Sequence, residues 1–181
     1  GLLSHVGILE SPNYHKLLFL TDMAVLPLPD FRQKIKQTNF VVKVAKSFGI
    51  AKPKVAFLAA SEQVLDSMPA CMEAAALAKM VDRGQIRGCI ADGPLALDVA
   101  IDNESVEIKK LVSPVAGDAD CLVFPNIESA NVFWKTNSKL SPGVRQAGML
   151  VGTTAPCILA SRADSVDTKL NSIAEAVMSI L

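Results

Sequence analysis

Short apolar runs of strand length alternate along this chain with longer stretches whose apolar residues recur every three or four positions. That alternation constrains the fold more than any other feature. Lys54–Ala60, Gly88–Asp92 and Asp120–Pro125 are near-continuous apolar runs, as expected of strands buried on both faces. Between them lie helical patterns with matching punctuation. Pro29-Asp30 starts one, with Ile35, Phe40, Val41, Val44, Ala45 and Phe48 on its apolar side, and Gly49 ends it in a left-handed cap. Pro69 opens the next, alanine-rich through Ala78, and Gly84 stops it. Gly93-Pro94 reads as a turn, followed by helical pieces at 95–100 and 104–111. Glu128–Leu140 reads as a further helix. Ahead of all of these, Ser4–Glu10 and Leu17–Asp22 form a hairpin over Ser11-Pro12-Asn13. At the other end, Gly148–Thr153 and Cys157–Ala160 read as strands. A last helix puts Val166, Leu170, Ile173, Ala174, Val177, Met178 and Leu181 on one face.

The pattern predicts an α/β chain with three α/β/α layers and a mostly parallel sheet. Right-handed crossovers then gather the strand-to-helix turns on one edge, where such folds bind ligands. These turns are 22–30, 60–69, 92–94, 125–131 and 161–165.

Composition narrows the function. Lys+Arg and Asp+Glu are both 18, and we find no basic tract or aromatic platform, so nothing recruits nucleic acid or an anionic membrane. Apolar residues make up 50% of the chain, yet no run reaches membrane-spanning length. The cysteines at 71, 89, 121 and 157 are far apart within apolar segments; they read as buried, reduced thiols of a cytoplasmic protein. Two histidines, His5 and His15, with no nearby ligand pattern argue against a metal site, and His5 reads as a buried, hydrogen-bonded strand residue. The glycines form neither a dinucleotide nor a P-loop fingerprint. The chain opens Gly-Leu-Leu and runs directly into strand-like sequence, as a fragment or a processed chain would.

One corner has the chemistry of an anion site. Ser161 and Arg162 sit between the strand at 157 and the last helix, and Asp164 or Ser165 can cap that helix. A helix start carries unpaired N–H groups and partial positive charge, which suits a phosphate or developing oxyanion. An ordinary strand–turn–helix corner with a surface arginine has the same pattern. Asp22, Asp92 and Asp98 lie at or near the proposed edge, as bases, positioning groups or turn formers. Asn131 and Lys135 are stacked on one helix, where Lys135 can meet a phosphate or simply be solvated. Gly117–Asp120 lies at the opposite end and reads as a turn.

Several longer motifs, in order, carry more. Asp92-Gly-Pro-Leu-Ala-Leu-Asp98, Ser113-Pro-Val-Ala-Gly-Asp-Ala-Asp120, Phe124–Asn131 with Lys135, and Ser161-Arg-Ala-Asp-Ser165 resemble the phosphate acetyl/butyryltransferases. Ala74–Met80 with Asp82–Gln85, and Asp167–Ile173, fit the same family, and the similarity looks closest to its butyryl branch. The resemblance implies that an acyl-CoA and inorganic phosphate exchange to an acyl phosphate and CoA, both substrates, with no cofactor and no metal. It implies a fold like that of the isocitrate and isopropylmalate dehydrogenases, with an interdomain cleft. Residues 3–148 would be the second, middle domain with a homodimer contact; 149–181 would return to a first domain otherwise missing, leaving this chain inactive alone. It assigns Ser161 to the CoA thiol and Arg162 to the oxyanion or phosphate. The base falls near 167–169, where Asp167 is the nearest carboxylate. Asp98, Asn131, Lys135, Asp164 and Ser165 are assigned to substrate binding. Leu26, Ala70-Cys71, Ala130 and Trp134 depart from the family pattern, losing hydroxyls and an amide from cleft turns. The alternative is a non-catalytic acyl-CoA-binding or dimerisation module of the same fold.

Overall fold

The computed structural model describes residues 1–180; Leu181, assigned above to the last helix, lies outside them. The elements are β1 (Ser4–Glu10), β2 (Leu18–Thr21), α1 (Phe31–Ser47), β3 (Lys54–Leu58), α2 (Pro69–Asp82), β4 (Ile90–Leu95) and α3 (Leu97–Ile101). Then follow α4 (Asn103–Lys109), β5 (Cys121–Val123), α5 (Ile127–Leu140), β6 (Arg145–Val151), β7 (Cys157–Ile158) and α6 (Val166–Met178). All strands form one sheet of order β4-β3-β5-β2-β1-β6-β7. β2, β5, β3 and β4 are parallel neighbours; β1 pairs antiparallel with β2 and β6, and β7 antiparallel with β6. Five strands therefore point one way, and β1 and β7 oppose them.

Period-two alternation along β1 and β2 builds two cores. Val6, Ile8 and Phe19 join Val41, Val44 and Leu77 of α1 and α2 on one face. Leu9, Leu18 and Leu20 join Val99, Ala130 and Trp134 of α3 and α5 on the other. Local signals hold as read. Asp30 caps α1 in a reciprocal pair with Gln33, and Gly49 takes φ 89° beyond its end.

Three readings need correction. The strand at 88–92 begins at Ile90 and continues through Gly93-Pro94 to Leu95. β4 ends the strand order, and an edge strand tolerates a proline that a central one would not. The strand at 148–153 is Arg145–Val151, and its ladder with β1 is unbroken from Arg145 to Val151. Cys157 is exposed, because the two-residue β7 lies on the open edge.

β7 covers only the Met149 and Leu150 positions of β6, and α6 bonds to backbone groups of β6 at two more. The Gly148 amide donates to Ser172 Oγ at 3.0 Å, and Asn171 Nδ2 donates to the Gln146 carbonyl at 3.4 Å. Side chains from a helix thus complete an edge that would otherwise expose unpaired backbone. Ser172→Ala is expected to cost about 1–2 kcal/mol in urea unfolding, because it strands the buried Gly148 amide; an unchanged midpoint would refute this role.

On the same helix Glu175 is 1% exposed, and neither carboxyl oxygen has a partner. Burial pushes its pKa well above the ordinary carboxylate value. An unfolded chain releases this proton near pH 4.3 while the native chain keeps it, so stability falls as pH rises from about 4.3 through the raised native value. Glu175→Leu is expected to flatten that slope and to stabilise the fold by about 1–3 kcal/mol near pH 7. Urea melts at about pH 5 and 7 check both parts, and a variant with the parental pH slope would contradict the assignment.

Candidate functional site

The carboxyl ends of β2, β3, β4 and β5 meet on one edge, as expected of parallel neighbours. The turn at 161–165 follows β7, which runs antiparallel to β6, yet it shares one groove with the β2 exit at Met23 and Ala24 and with the start of α5 at Ile127 and Asn131. The strand order separates the expected residues: Asp98 follows β4 at one end of the sheet, and Ser161 follows β7 at the other.

A groove of about 330 Å³ brings together four of the residues singled out in the sequence, namely Asn131, Lys135, Ser161 and Asp164. It opens over the β1–β6 part of the sheet, between α5 and the start of α6. His5 and Gly148 contribute from the strands, Met23 from the β2 exit and Trp134 from α5. Sequence reasoning missed Met23, Gly148, Thr168 and Ser172 as groove residues, whereas Trp134 was named as a departure from the family pattern. The spacing of Thr168 and Ser172, one turn apart on a helix, was the available signal.

Each group is held by local chemistry. Asp164 Oδ2 accepts the Ser161 amide at 2.7 Å, closing a tight turn before α6. Its other oxygen lies 3.9 Å from Lys135 Nζ. Ser165, rather than Asp164, caps α6 by accepting the Thr168 amide at 3.1 Å. Asn131 Nδ2 donates to the Met23 carbonyl at 3.0 Å, tying α5 to the β2 exit. That exit is itself ordered by Asp22, which is 3% exposed and accepts hydrogen bonds from Ser4 and the amides of His5, Ala24, Val25 and Leu26. Asp22 is therefore a turn anchor. Asp92 likewise bonds locally, to the Gly93 amide.

His5 is 4% exposed and stands edge-on to Trp134, with ring centroids 6.5 Å apart. Burial lowers its pKa below the ordinary imidazole value, against the pull of Asp22, the Leu159 carbonyl and Asp164. Its ring crowds Gly148: a Cβ there would lie 2.7 Å from Nε2, so only glycine fits.

Other expected residues fall outside the groove. Arg162 is exposed and has no hydrogen-bond or ion-pair partner among the described residues. Asp167 is exposed in the first turn of α6, and Thr168 is the residue of that turn that faces the groove. Asp98 pairs with Lys109 at 2.8 Å, and that hydrogen bond lowers its pKa. At the opposite end of the sheet, Asp118 is more than a turn former. It meets His15, Lys16 and Lys54, each at 2.8–2.9 Å, and although burial raises its pKa, these hydrogen bonds bring the net value well below the carboxylate range. Among the described residues no group of three or more His, Cys, Asp or Glu could hold a metal ion. No helix among them is long and apolar enough to cross a membrane.

The profile of the family described as "Phosphate acetyl/butaryl transferase" matches residues 1–177. The chain is 48% identical over 176 residues to a phosphate butyryltransferase of Clostridium acetobutylicum, covering 97% of this chain and 58% of that protein. It is 43% identical over 169 residues to a phosphate acetyltransferase of Thermotoga maritima, covering 93% and 57% respectively. Among solved structures, a branched-chain phosphotransacylase from Enterococcus faecalis superposes with a TM-score of 0.91 at 34% identity, over 99% of this chain and 63% of that one. The chain thus spans somewhat more than half the length of the curated relatives it matches.

Proposed function

The chain belongs to the phosphate acetyl/butyryl transferase family, and on that premise we propose that the protein exchanges a short acyl group between coenzyme A and inorganic phosphate, butyryl-CoA and phosphate giving butyryl phosphate and CoA. The observation that carries this reading is the groove. It sets the Ser161 hydroxyl, on a backbone held by Asp164, opposite the amide of Asn131 and the ammonium of Lys135. A hydroxyl is what a thiol or thiolate needs as a hydrogen-bond partner, and an ammonium is what phosphate needs.

The reaction transfers an acyl carbon between sulfur and oxygen. In the direction that consumes acyl phosphate, the CoA sulfur attacks the carbonyl, the carbon–oxygen bond breaks with phosphate as the leaving group, and the thiol proton passes to a base. A free thiol titrates near pH 8.5, so a base or local positive charge must assist it. Asp167 was the expected base; Asp164 is the carboxylate that lines the groove. Arg162, exposed and next to Ser161 in the chain, is assigned to the oxyanion or the leaving phosphate.

The finer parts of the reading are a fold like that of the isocitrate dehydrogenases, an interdomain cleft, a homodimer and a cytoplasmic location. The division into 3–148 and 149–181 belongs with them, with the chain leaving β6 no earlier than Val151. An exposed stripe on α6 (Val166, Leu170, Ile173 and Val177), continued by Ile180 just beyond it, supports a further structural layer on that side. The competing reading, a non-catalytic CoA-ester module, draws on Asp167 lying outside the groove. The test is phosphate-dependent release of CoA from butyryl-CoA and acetyl-CoA by the protein carrying this chain. Turnover with either supports exchange. Calorimetric binding of CoA esters without turnover favours the module, and neither binding nor turnover rejects both.

A further inference from the structure

We propose that Met23 and Trp134 form the acyl-chain end of the groove, and that the Met23 side chain is the stop that sets how long a chain it takes. This deepens the acyl-transfer reading and rests on it: it says where the hydrocarbon part of a thioester or acyl phosphate lies.

The groove is divided by chemistry. Ser161, Asp164, Thr168 and Ser172, all from the turn before α6 and from α6 itself, make one side polar. Met23 and Ala24 at the β2 exit, with Ile127 and Trp134 of α5, line the other. The two polar side chains that α5 adds are already engaged: the Asn131 amide donates to the Met23 carbonyl at 3.0 Å, and Lys135 stands 3.9 Å from Asp164. What the β2–α5 side offers a ligand is therefore apolar surface. An acyl thioester is divided in the same way, into a polar reacting end and a hydrocarbon tail whose burial is favoured in proportion to its area. With the reacting end at Ser161, the tail matches the Met23–Trp134 side.

The depth of that side comes from a gap in the sheet. Gly7 of β1 and Gly148 of β6 are direct partners across the ladder, and neither has a side chain to bring to the groove. The His5 ring takes the space over Gly148. Met23 Cε and the Trp134 ring take the space over Gly7: a Cβ there would meet that methyl and would lie 2.8 Å from Trp134 Cζ3. The tip of the buried Met23 side chain is thus seated on the sheet, under the groove it lines. Its backbone is fixed, because the Asp22 carboxylate accepts from the amides of Ala24, Val25 and Leu26. A long, unbranched thioether on a fixed backbone is a stop that one substitution can shorten. Alanine removes Cγ, Sδ and Cε, and Gly7 has nothing with which to fill the void.

The test measures kcat/KM for acetyl-, butyryl- and hexanoyl-CoA with the protein carrying this chain, beside calorimetric affinities for the same esters and for CoA. In Met23→Ala the hexanoyl-to-butyryl ratio should rise about tenfold, the discrimination that a methylene brings in an apolar pocket, while the affinity for CoA itself stays within about threefold. Ala24→Leu, which fills the same end, should lower the butyryl-to-acetyl ratio about tenfold. A Met23 that served the fold alone would change all three esters alike. An unchanged hexanoyl-to-butyryl ratio in folded Met23→Ala overturns the proposal and leaves acyl transfer standing. If wild type binds the esters without turnover, the acyl-transfer reading fails, and the same ratios, taken from the affinities, decide the proposal. Neither binding nor turnover overturns both. If Met23→Ala does not fold, the ratio in Ala24→Leu decides.

Discussion

Asp22→Ala is expected to destabilise the fold by about 4 kcal/mol, a large share of the roughly 5–15 kcal/mol that holds a typical domain. The carboxylate is 3% exposed and serves five donors, at 2.7 Å from Ser4 Oγ and 2.8–3.3 Å from four backbone amides. Charge-assisted bonds of this kind contribute about 1.5–3 kcal/mol each, and their loss is not additive because some orphaned amides will find water. Alanine removes every acceptor at once while leaving the donors in place. Asp22→Asn keeps one acceptor oxygen and brings in a donor facing other donors, so it should cost about half as much. The damage should also reach the groove, since the Met23 carbonyl that Asp22 positions is the acceptor for Asn131. Urea unfolding of both variants checks the order. A loss below about 1 kcal/mol for alanine would show that the loop is held elsewhere.

The contrast between Asp22 and Ser161 shows what the sequence can carry. Strands and helices were readable where the signal is local: the apolar run at 54–58, the Asp30 cap, and Gly49 after α1. Gly93-Pro94 misled because a turn dipeptide is also compatible with an edge strand, and edge status depends on pairings with distant segments. Asp22 could be placed at a strand end but not given a role, because its partners include Ser4 and His5, which only the β1–β2 pairing brings near. Of the five turns expected on one edge, 22–30, 125–131 and 161–165 supply residues to the groove, whereas 60–69 and 92–94 do not, because the strand order sets β3 and β4 away from it. The family resemblance named Ser161, Asn131 and Lys135, which line one groove. It also supplied Asp98, which lies at the far end of the sheet.

Arg162→Ala is expected to lower phosphate-dependent turnover about 100- to 1,000-fold, the usual cost of removing one donor aimed at a developing oxyanion. Folding stability should stay within about 0.5 kcal/mol of wild type, because the guanidinium is exposed and bonds to nothing among the described residues. An arginine in that state contributes little to the fold and is available to an anion. Ser161→Ala should behave differently. The backbone amide keeps its bond to Asp164, so the turn survives, and only the hydroxyl is lost. Arg162→Lys keeps the charge but loses the planar fork that meets two oxygens of a phosphate or carbonyl adduct, so its activity should lie between alanine and wild type. Urea melts run beside the assay separate the two effects. If Arg162→Ala were as active as wild type, the oxyanion role would have to move to Lys135, which already has the Asp164 carboxylate 3.9 Å away and so begins partly neutralised.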